Sequence, residues 1–235
     1  MTPFKVHLWP FQLLSIFGIL ASFFILPLWG IFLSLAIGYI LAVIAQPIAM
    51  HRYFTHRSFS VNKFWNLVLL FVATLSASGS TLSWIMVHRL HHRFSDTPND
   101  PHSPKYRGIR NVFFASWFTY VSPSVEPLIE FRKDKLQRFF HDYYYHAQVV
   151  YLIFLAVVNP YLLFPLYFYP VIITLLMASV INSYNHRTGE SSDSLLMSWL
   201  IAGEGWHDYH HKHPAAYYNQ FPDFSGFIIK IIKKN

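Results

Sequence analysis

The chain has no cysteine among its 235 residues. That excludes disulfides, iron–sulfur clusters and thiolate zinc sites, so a bound metal has to be held by nitrogen and oxygen atoms. Charge is scarce as well: Asp, Glu, Lys and Arg make up 12% of the chain, against about 25% in an ordinary soluble domain. None of these residues falls between Val6 and Met50 or between Tyr143 and Asn185. The space is taken by apolar side chains, 54% of the total, with 19% aromatic, a composition that belongs in a bilayer. The first forty residues have neither a basic start ahead of a short apolar core nor a small-residue cleavage site, so the apolar segments are expected to stay in the mature protein.

A bilayer crossing takes about 20 residues, and each charge-free run is long enough to cross, turn and return. The first is expected to turn near Pro27 to Gly30, the second around Asn159, Pro160, Pro165 and Pro170. A third apolar run, Phe64 to Val87, has a polar second half (Ser76, Ser78, Gly79, Ser80, Thr81, Ser83) and is expected to lie on or partly in the interface as a packed helix. Were it to cross, the histidines on either side of it would face opposite aqueous phases. With two hairpins all 18 Lys and Arg residues fall on one side, which the positive-inside rule makes the cytoplasm. The expected fold is an all-α integral membrane protein: four transmembrane helices in two hairpins and a helical cytoplasmic cap, one domain over residues 1–235. Residues His51 to His146, Thr188 to Asn235 and both termini are then cytoplasmic.

Against this apolar background there are 14 histidines, and eight of them fall in three short windows: His51/His56, His88/His91/His92 and His207/His210/His211. Neutral imidazole is the commonest protein metal ligand. Positions i, i+3 and i+4 share a helix face, so each triplet presents three imidazoles on one side, able to reach two metals a few ångströms apart. His51 and His56 are about 140° apart on a regular α-helix and are expected to straddle a helix end or flank the pair of metals. His7, His141, His146 and His213 have no partner pattern and are read as interfacial or locally satisfied side chains. The stretch Asp100-Pro101-His102-Ser103-Pro104 is placed to support the second cluster by hydrogen bonds.

The stretches His51-Arg-Tyr-Phe-Thr-His56, His88-Arg-Leu-His-His92 and Gly203-Glu-Gly-Trp-His207-Asp-Tyr-His-His211 resemble the three histidine boxes of membrane fatty acid desaturases of the acyl-CoA Δ9 (stearoyl-CoA) type. The likeness covers nearly the whole chain in order and spacing. It implies two iron ions held by His51, His56, His88, His91, His92, His207, His210 and His211. It further implies that Asn182-Ser-Tyr-Asn-His186 supplies His186 as a ninth imidazole ligand and Asn182 through water. By pattern alone His186 is a helix-end histidine, and Asn185 a helix-end or supporting residue. The implied activity is O2-dependent insertion of a cis double bond, at Δ9, into a saturated fatty acyl chain presented as a CoA thioester or as a lipid- or carrier-bound chain. Electrons would come from an external donor such as ferredoxin or cytochrome b5 with its reductase; the net charge of +7 suits an acidic donor, although it serves equally to orient the protein.

Two departures from the pattern bear on the substrate's head. Trp84-Ile85-Met86-Val87 leads into the second box without a charge, whereas animal acyl-CoA desaturases carry charged residues there, so weak dependence on CoA is expected. Arg89, Lys105 and Arg110 remain available for phosphates. Pro47, in the lead-in to the first box, is expected to kink its helix. The same boxes would also serve a di-iron membrane hydroxylase or ketolase. A metal transporter is a third reading, weakened because no histidine or carboxylate lies mid-membrane in either hairpin.

Overall fold

Both charge-free runs fold as pairs of helices joined by tight turns in a computed structural model that describes residues 5–121 and 133–234. Helix α1 (Trp9–Ile25) gives way at Leu26 and Pro27 to α2 (Leu28–Val43). Pro27, extended and without an N–H to lose, starts the return helix. Without a break in the chain α2 continues as a π-helix over Ile44–Thr55. The second pair is α8 (Tyr144–Val158) and α9 (Tyr169–Tyr184), linked by a 3-10 turn at Pro160–Leu162 and a π-turn at Phe164–Phe168. Asn159 caps the first of these turns, its side chain accepting the Tyr161 N–H at 3.0 Å. Two continuous segments, Leu28–Thr55 and Pro160–Tyr184, are long and apolar enough to cross a bilayer. Their partners α1 and α8 have 17 and 15 residues.

Pro47 does not simply kink its helix. It lies inside the π-helical segment, where the wider i→i+5 spacing relieves the clash that a proline ring makes with the carbonyl four residues back.

The third apolar run differs from the single interfacial helix expected of it. It is a helical hairpin, α3 (Lys63–Leu75) and α4 (Thr81–Phe94), reversing through a buried turn at 76–80. The serines that looked too polar for a span are this turn and the start of α4: Ser76 donates to Ala73 O at 2.8 Å, and Ser80 caps α4 by accepting the Ser83 N–H at 3.3 Å. The end of α3 is tied to the second pair by Gln148, which donates to Thr74 O at 2.5 Å and accepts from the Tyr167 hydroxyl at 2.8 Å. Because the run turns back, its two ends lie together, and the reason for keeping His56 and His88 on one face holds.

Short helices complete the fold: α5 (Pro104–Arg107), α6 (Ile109–Phe118), α7 (Lys135–Asp142), α10 (Leu195–Leu200), α11 (His207–Lys212) and α12 (Phe224–Ile232). The described residues are not wholly helical. Strand β1 (Lys5–His7) pairs antiparallel with β2 (Thr119–Val121). The core lies beneath the histidines, where Ile48 and Met50 of the π-helix meet Leu70, Ile85, Met177 and Ile181.

The two helical pairs interlock at small residues. A Cβ on Gly38 of α2 would stand 2.7 Å from Tyr169 Cβ and 3.2 Å from the Pro170 nitrogen, while one on Gly30 would find only ordinary contacts from 3.4 Å outward. Gly38→Ala is therefore expected to destabilise the protein by about 1–3 kcal/mol, the range for overpacking, and Gly30→Ala to leave it nearly unchanged. Thermal unfolding in detergent micelles measures the difference.

Candidate metal centre

The π-helix changes the angle between the first pair of histidines. The 140° separation of His51 and His56 holds for an α-helix; here the backbone N–H of His56 bonds to His51 O at 3.1 Å, an i→i+5 link that sets residues five apart above one another. Both rings therefore join the same group, and the pair straddles the helix end as expected, His51 inside the π-helix and His56 at its C-cap.

Nine imidazoles gather into two adjoining groups. His51, His56, His88, His92 and His210 form one, and His91, His186, His207 and His211 the other, with one nitrogen from each residue within 4.8 Å of every other in its group. Each triplet divides between the two. On α4 the i, i+4 pair His88/His92 joins the first group and His91 the second; on α11 the i, i+4 pair His207/His211 joins the second and His210 the first. His186, at the end of α9, completes the second group. Asn182 is buried one turn before it on the same helix. The remaining histidines stay outside: His141 bonds through Nδ1 to Ser80 Oγ at 2.5 Å, His213 packs on the Tyr209 ring, and His146 lies beside Tyr143. His102 is buried 5.7 Å from His91, ring centre to ring centre, and belongs to neither group. The side chain of His7 lies outside what is described.

Within a group the nitrogens stand at the spacing of neighbouring ligands around one ion. Two nitrogens each about 2.0–2.1 Å from a metal, as in zinc–imidazole sites, and 90–110° apart are separated by about 2.8–3.4 Å. The Nε2 to Nε2 distances are 2.9 Å for His51–His210, 3.0 Å for His56–His88, 3.0 Å for His88–His92 and 3.1 Å for His92–His210. In the second group they are 2.8 Å for His186–His207, 3.2 Å for His207–His211 and 3.3 Å for His91–His211. The residues present fit a pair of metal ions.

Carboxylates fix which nitrogen faces inward. His91 Nδ1 donates to Asp100 at 2.9 Å, His186 Nδ1 to Asp96 at 2.8 Å, and His51 Nδ1 faces Glu204. An imidazole whose Nδ1 carries the proton keeps its Nε2 lone pair free for a metal. The two aspartates are themselves joined, the Asp96 N–H donating to Asp100 Oδ2 at 2.9 Å. The role expected of the Asp100–Pro104 stretch thus falls to Asp100. Asp96 and Glu204 went unassigned in the sequence, although each lies within four residues of a histidine triplet, which is the signal that would have found them. Asn185 proves to be a helix-end residue, donating to Ser192 O and Gly205 O and so holding the lead-in to the third box.

Burial disfavours the charged form of most of these imidazoles. It pushes His56, His88, His91, His92, His207 and His210 well below the usual range, and neighbouring imidazoles push the same way. His211 goes to about 2 and His102 to about 4, again chiefly through burial. Burial acts in the opposite sense on Glu204 but is outweighed by His51 and Arg52, which hold its carboxyl at about 2.

Arg52 is almost fully buried and binds two carboxylates at once. Its guanidinium meets Glu204 Oε1 at 2.8 and 3.1 Å and both oxygens of Asp223 at 2.8 and 3.0 Å, with a further bond to Tyr217 O at 2.8 Å. Asp223 also accepts the N–H groups of Asn219 and Gly226, so the C-terminal helix α12 is anchored to the first histidine box.

Residues 26–230 match the fatty acid desaturase family, and the chain belongs to it. It is similar to the sn-1 stearoyl-lipid 9-desaturase of Anabaena variabilis, 28% identical over 193 residues, 76% of this chain and 70% of that protein. The sn-1 stearoyl-lipid 9-desaturase of Synechocystis is 28% identical over 189 residues, 72% of this chain and 57% of that protein. The stearoyl-CoA desaturase of Capra hircus is 26% identical over 228 residues, 84% of this chain and 62% of that protein. By family the chain is an oxidoreductase of the fatty acyl desaturase type.

Removing Arg52 would leave two buried carboxylates without their shared cation. Arg52→Ala is expected to cost about 3–5 kcal/mol, the range for breaking a buried ion pair, whereas Lys212→Ala, which breaks an exposed pair with Asp208, is expected to leave stability nearly unchanged. Chemical denaturation of both variants in the same detergent tests the contrast.

Proposed function

We propose that this chain introduces a cis double bond, at Δ9, into a saturated fatty acyl chain, using O2 and an external electron donor at a histidine-held di-iron centre. The observation that carries the proposal is the pair of adjoining all-imidazole groups drawn from four separate segments. His51, His56, His88, His92 and His210 hold one metal; His91, His186, His207 and His211 hold the other, with Asn182 reaching it through water. Imidazole sites also suit zinc, copper and nickel, but zinc has no redox change to offer. When bound, the two irons supply the O2-derived oxidizing power that an unactivated methylene C–H bond requires. The balance is one O2, two electrons and two protons in, two hydrogens removed from the acyl chain, and two waters out.

The chain's own residues set the conditions for that reaction. Asp96, Asp100 and Glu204 orient the rings, and the burial of the site keeps bulk water away. The relatives are named for acyl-lipid and acyl-CoA substrates alike, which supports a fatty acyl chain as substrate. A CoA thioester leads among the head groups, with weak dependence on the CoA moiety. The electron donor is a separate protein such as ferredoxin or cytochrome b5 with its reductase.

For the membrane arrangement we propose four crossings, by α1, α2 with its π-helical extension, α8, and α9 with its preceding turns. The histidines and both termini then lie on the cytoplasmic side, in a single domain over residues 1–235. Phe24, at the tip of the first hairpin, is 91% exposed, a setting for lipid and not for water. Reporter fusions after Ser60, Ser103 and Ser191 should all report the cytoplasm; a fusion at Ser103 on the other side from Ser60 would defeat the single-face arrangement.

Mass analysis of the product tests the chemistry. Purified protein with an electron-donor system should release an acyl chain lighter by two hydrogens, whereas a chain heavier by one oxygen would identify a hydroxylase. The protein should carry two irons, and replacing any of the nine histidines by Ala should abolish activity and lower the iron content, while His213→Ala retains both. Iron-free protein that moves metal across a proteoliposome membrane without consuming O2 would favour a transporter instead.

A further inference from the structure

Helix α12 is built inside out for a protein surface in water. Its buried residues are Ser225, Gly226 and Ile229, while Phe224, Phe227 and Ile231 stand outward at i, i+3 and i+7, a single apolar stripe. The helix cannot be turned over to hide that stripe. A Cβ on Gly226 would lie 2.5 Å from the Tyr218 ring, so the small face has to point inward, and the Asp223 cap is held by Arg52.

The outward stripe continues onto α10, where Leu195, Leu196, Trp199 and Leu200 are exposed. The Trp199 ring lies 5.8 Å from Phe221 and 5.4 Å from Phe224, centre to centre, which makes one apolar face of the two helices. That face runs on without a break into α2. Tyr39 donates its hydroxyl to Leu200 O at 3.1 Å, and Phe32, Leu35 and Tyr39 share a groove of about 660 Å³ with Met197 and Leu200. A water-facing cap rarely leaves so much contiguous apolar surface uncovered. The charges at the α12 end of the face are of one sign. From Phe224 to Asn235 there are Lys230, Lys233 and Lys234 and no acidic residue, and Asp223 is buried against Arg52.

We infer that α10 and α12 together lie in the boundary between headgroups and acyl chains of the bilayer leaflet nearest the metal centre, with Lys230, Lys233 and Lys234 on anionic lipid headgroups. The inference rests on the membrane reading given above. The face meets the lipid in the way an amphipathic interfacial helix does, apolar side chains in the acyl boundary and lysines at the headgroups. The continuity with α2, a candidate spanning helix, places the bilayer on this side of the cap.

The absence of cysteine makes the test direct, since each introduced thiol is unique. Nitroxide labels at Ile231→Cys, Leu196→Cys, Phe24→Cys and Glu190→Cys are compared in nanodiscs for collision with O2, which concentrates in lipid, and with a water-soluble nickel chelate. Labels at 231 and 196 should meet O2 readily and be shielded from nickel, as the label at 24 is, with the reverse at 190. Labels at 231 and 196 as open to nickel as 190, with 24 still in lipid, would overturn the inference and leave the membrane reading standing. A label at 24 open to nickel would overturn both. Dipolar broadening between labels at 231 would show a second copy on the face, also against the inference. Replacing Lys230, Lys233 and Lys234 together by Gln should raise nickel access at 231 about twofold or more in anionic nanodiscs and leave it unchanged in zwitterionic ones. Equal behaviour in the two lipids would remove the headgroup contact from the proposal.

Discussion

Nine imidazole nitrogens brought to within 2.8–3.3 Å of their neighbours form a cluster that no other part of the fold can ignore. Lone pairs facing one another in a buried place repel unless a cation lies between them, so such a cluster has to be held by the surrounding structure. Four segments far apart in sequence deliver the rings, from three kinds of backbone setting: a π-helix, two α-helices and a helix end. The wide spacing of the π-helix brings His51 and His56 together, and the reversal at 76–80 brings α4 back alongside them. A straight α-helix through Pro47, or an uninterrupted helix from Phe64 to Val87, would have separated rings that here lie in contact.

Orientation is a second demand, met by carboxylates. Each imidazole has two nitrogens, and only the one turned inward serves a metal. Asp96 and Asp100, joined through one short turn, set the tautomers of His186 and His91. Glu204 faces His51 and is itself fixed by Arg52. Through Arg52 the chain of contacts reaches Asp223, and through Asp223 the start of α12. The C-terminal helix is in this way mechanically continuous with the first histidine box, although Arg52 and Asp223 are 171 positions apart.

Much of this was legible in the sequence, for physical reasons that also mark where legibility ends. Charge-free runs can only be buried or lipid-facing, and a proline or asparagine inside one announces a turn, so both helical pairs were readable. The two triplets were readable because i, i+3, i+4 spacing has one meaning on an α-helix. For His51 and His56 the expected helix end is there, at Thr55, but not the 140° angle: a π-helix changes the angular step, and apart from Pro47 nothing in the local composition signals one. The serine-rich stretch 76–83 reads as too polar for a span, yet that reading does not separate an interfacial helix from the buried turn found here. The separation depends on Tyr144, which bonds Gly79, and Gln148, which bonds Thr74, partners some seventy residues away. Glu204 and Asp96 stayed unassigned because a carboxylate near a histidine box gains its meaning only when the fold shows which nitrogen it touches.

The uncharged approach to the second box has a structural reason. Trp84, Ile85, Met86 and Val87 are all buried, and Trp84 stacks on His88 with ring centres 6.0 Å apart. A charged residue at any of these positions would lie in the core and not at the surface, so the lead-in contributes packing beneath the imidazoles. Arg89 is engaged too, its guanidinium donating to Thr55 O at 2.9 Å, which ties the second box to the first. The cations that reach solvent on this side include Lys105 and Arg110, on or beside the short helix α5 that follows the second box. These cations lie outside the segment that carries the histidines, so they can change while the histidine cluster stays intact.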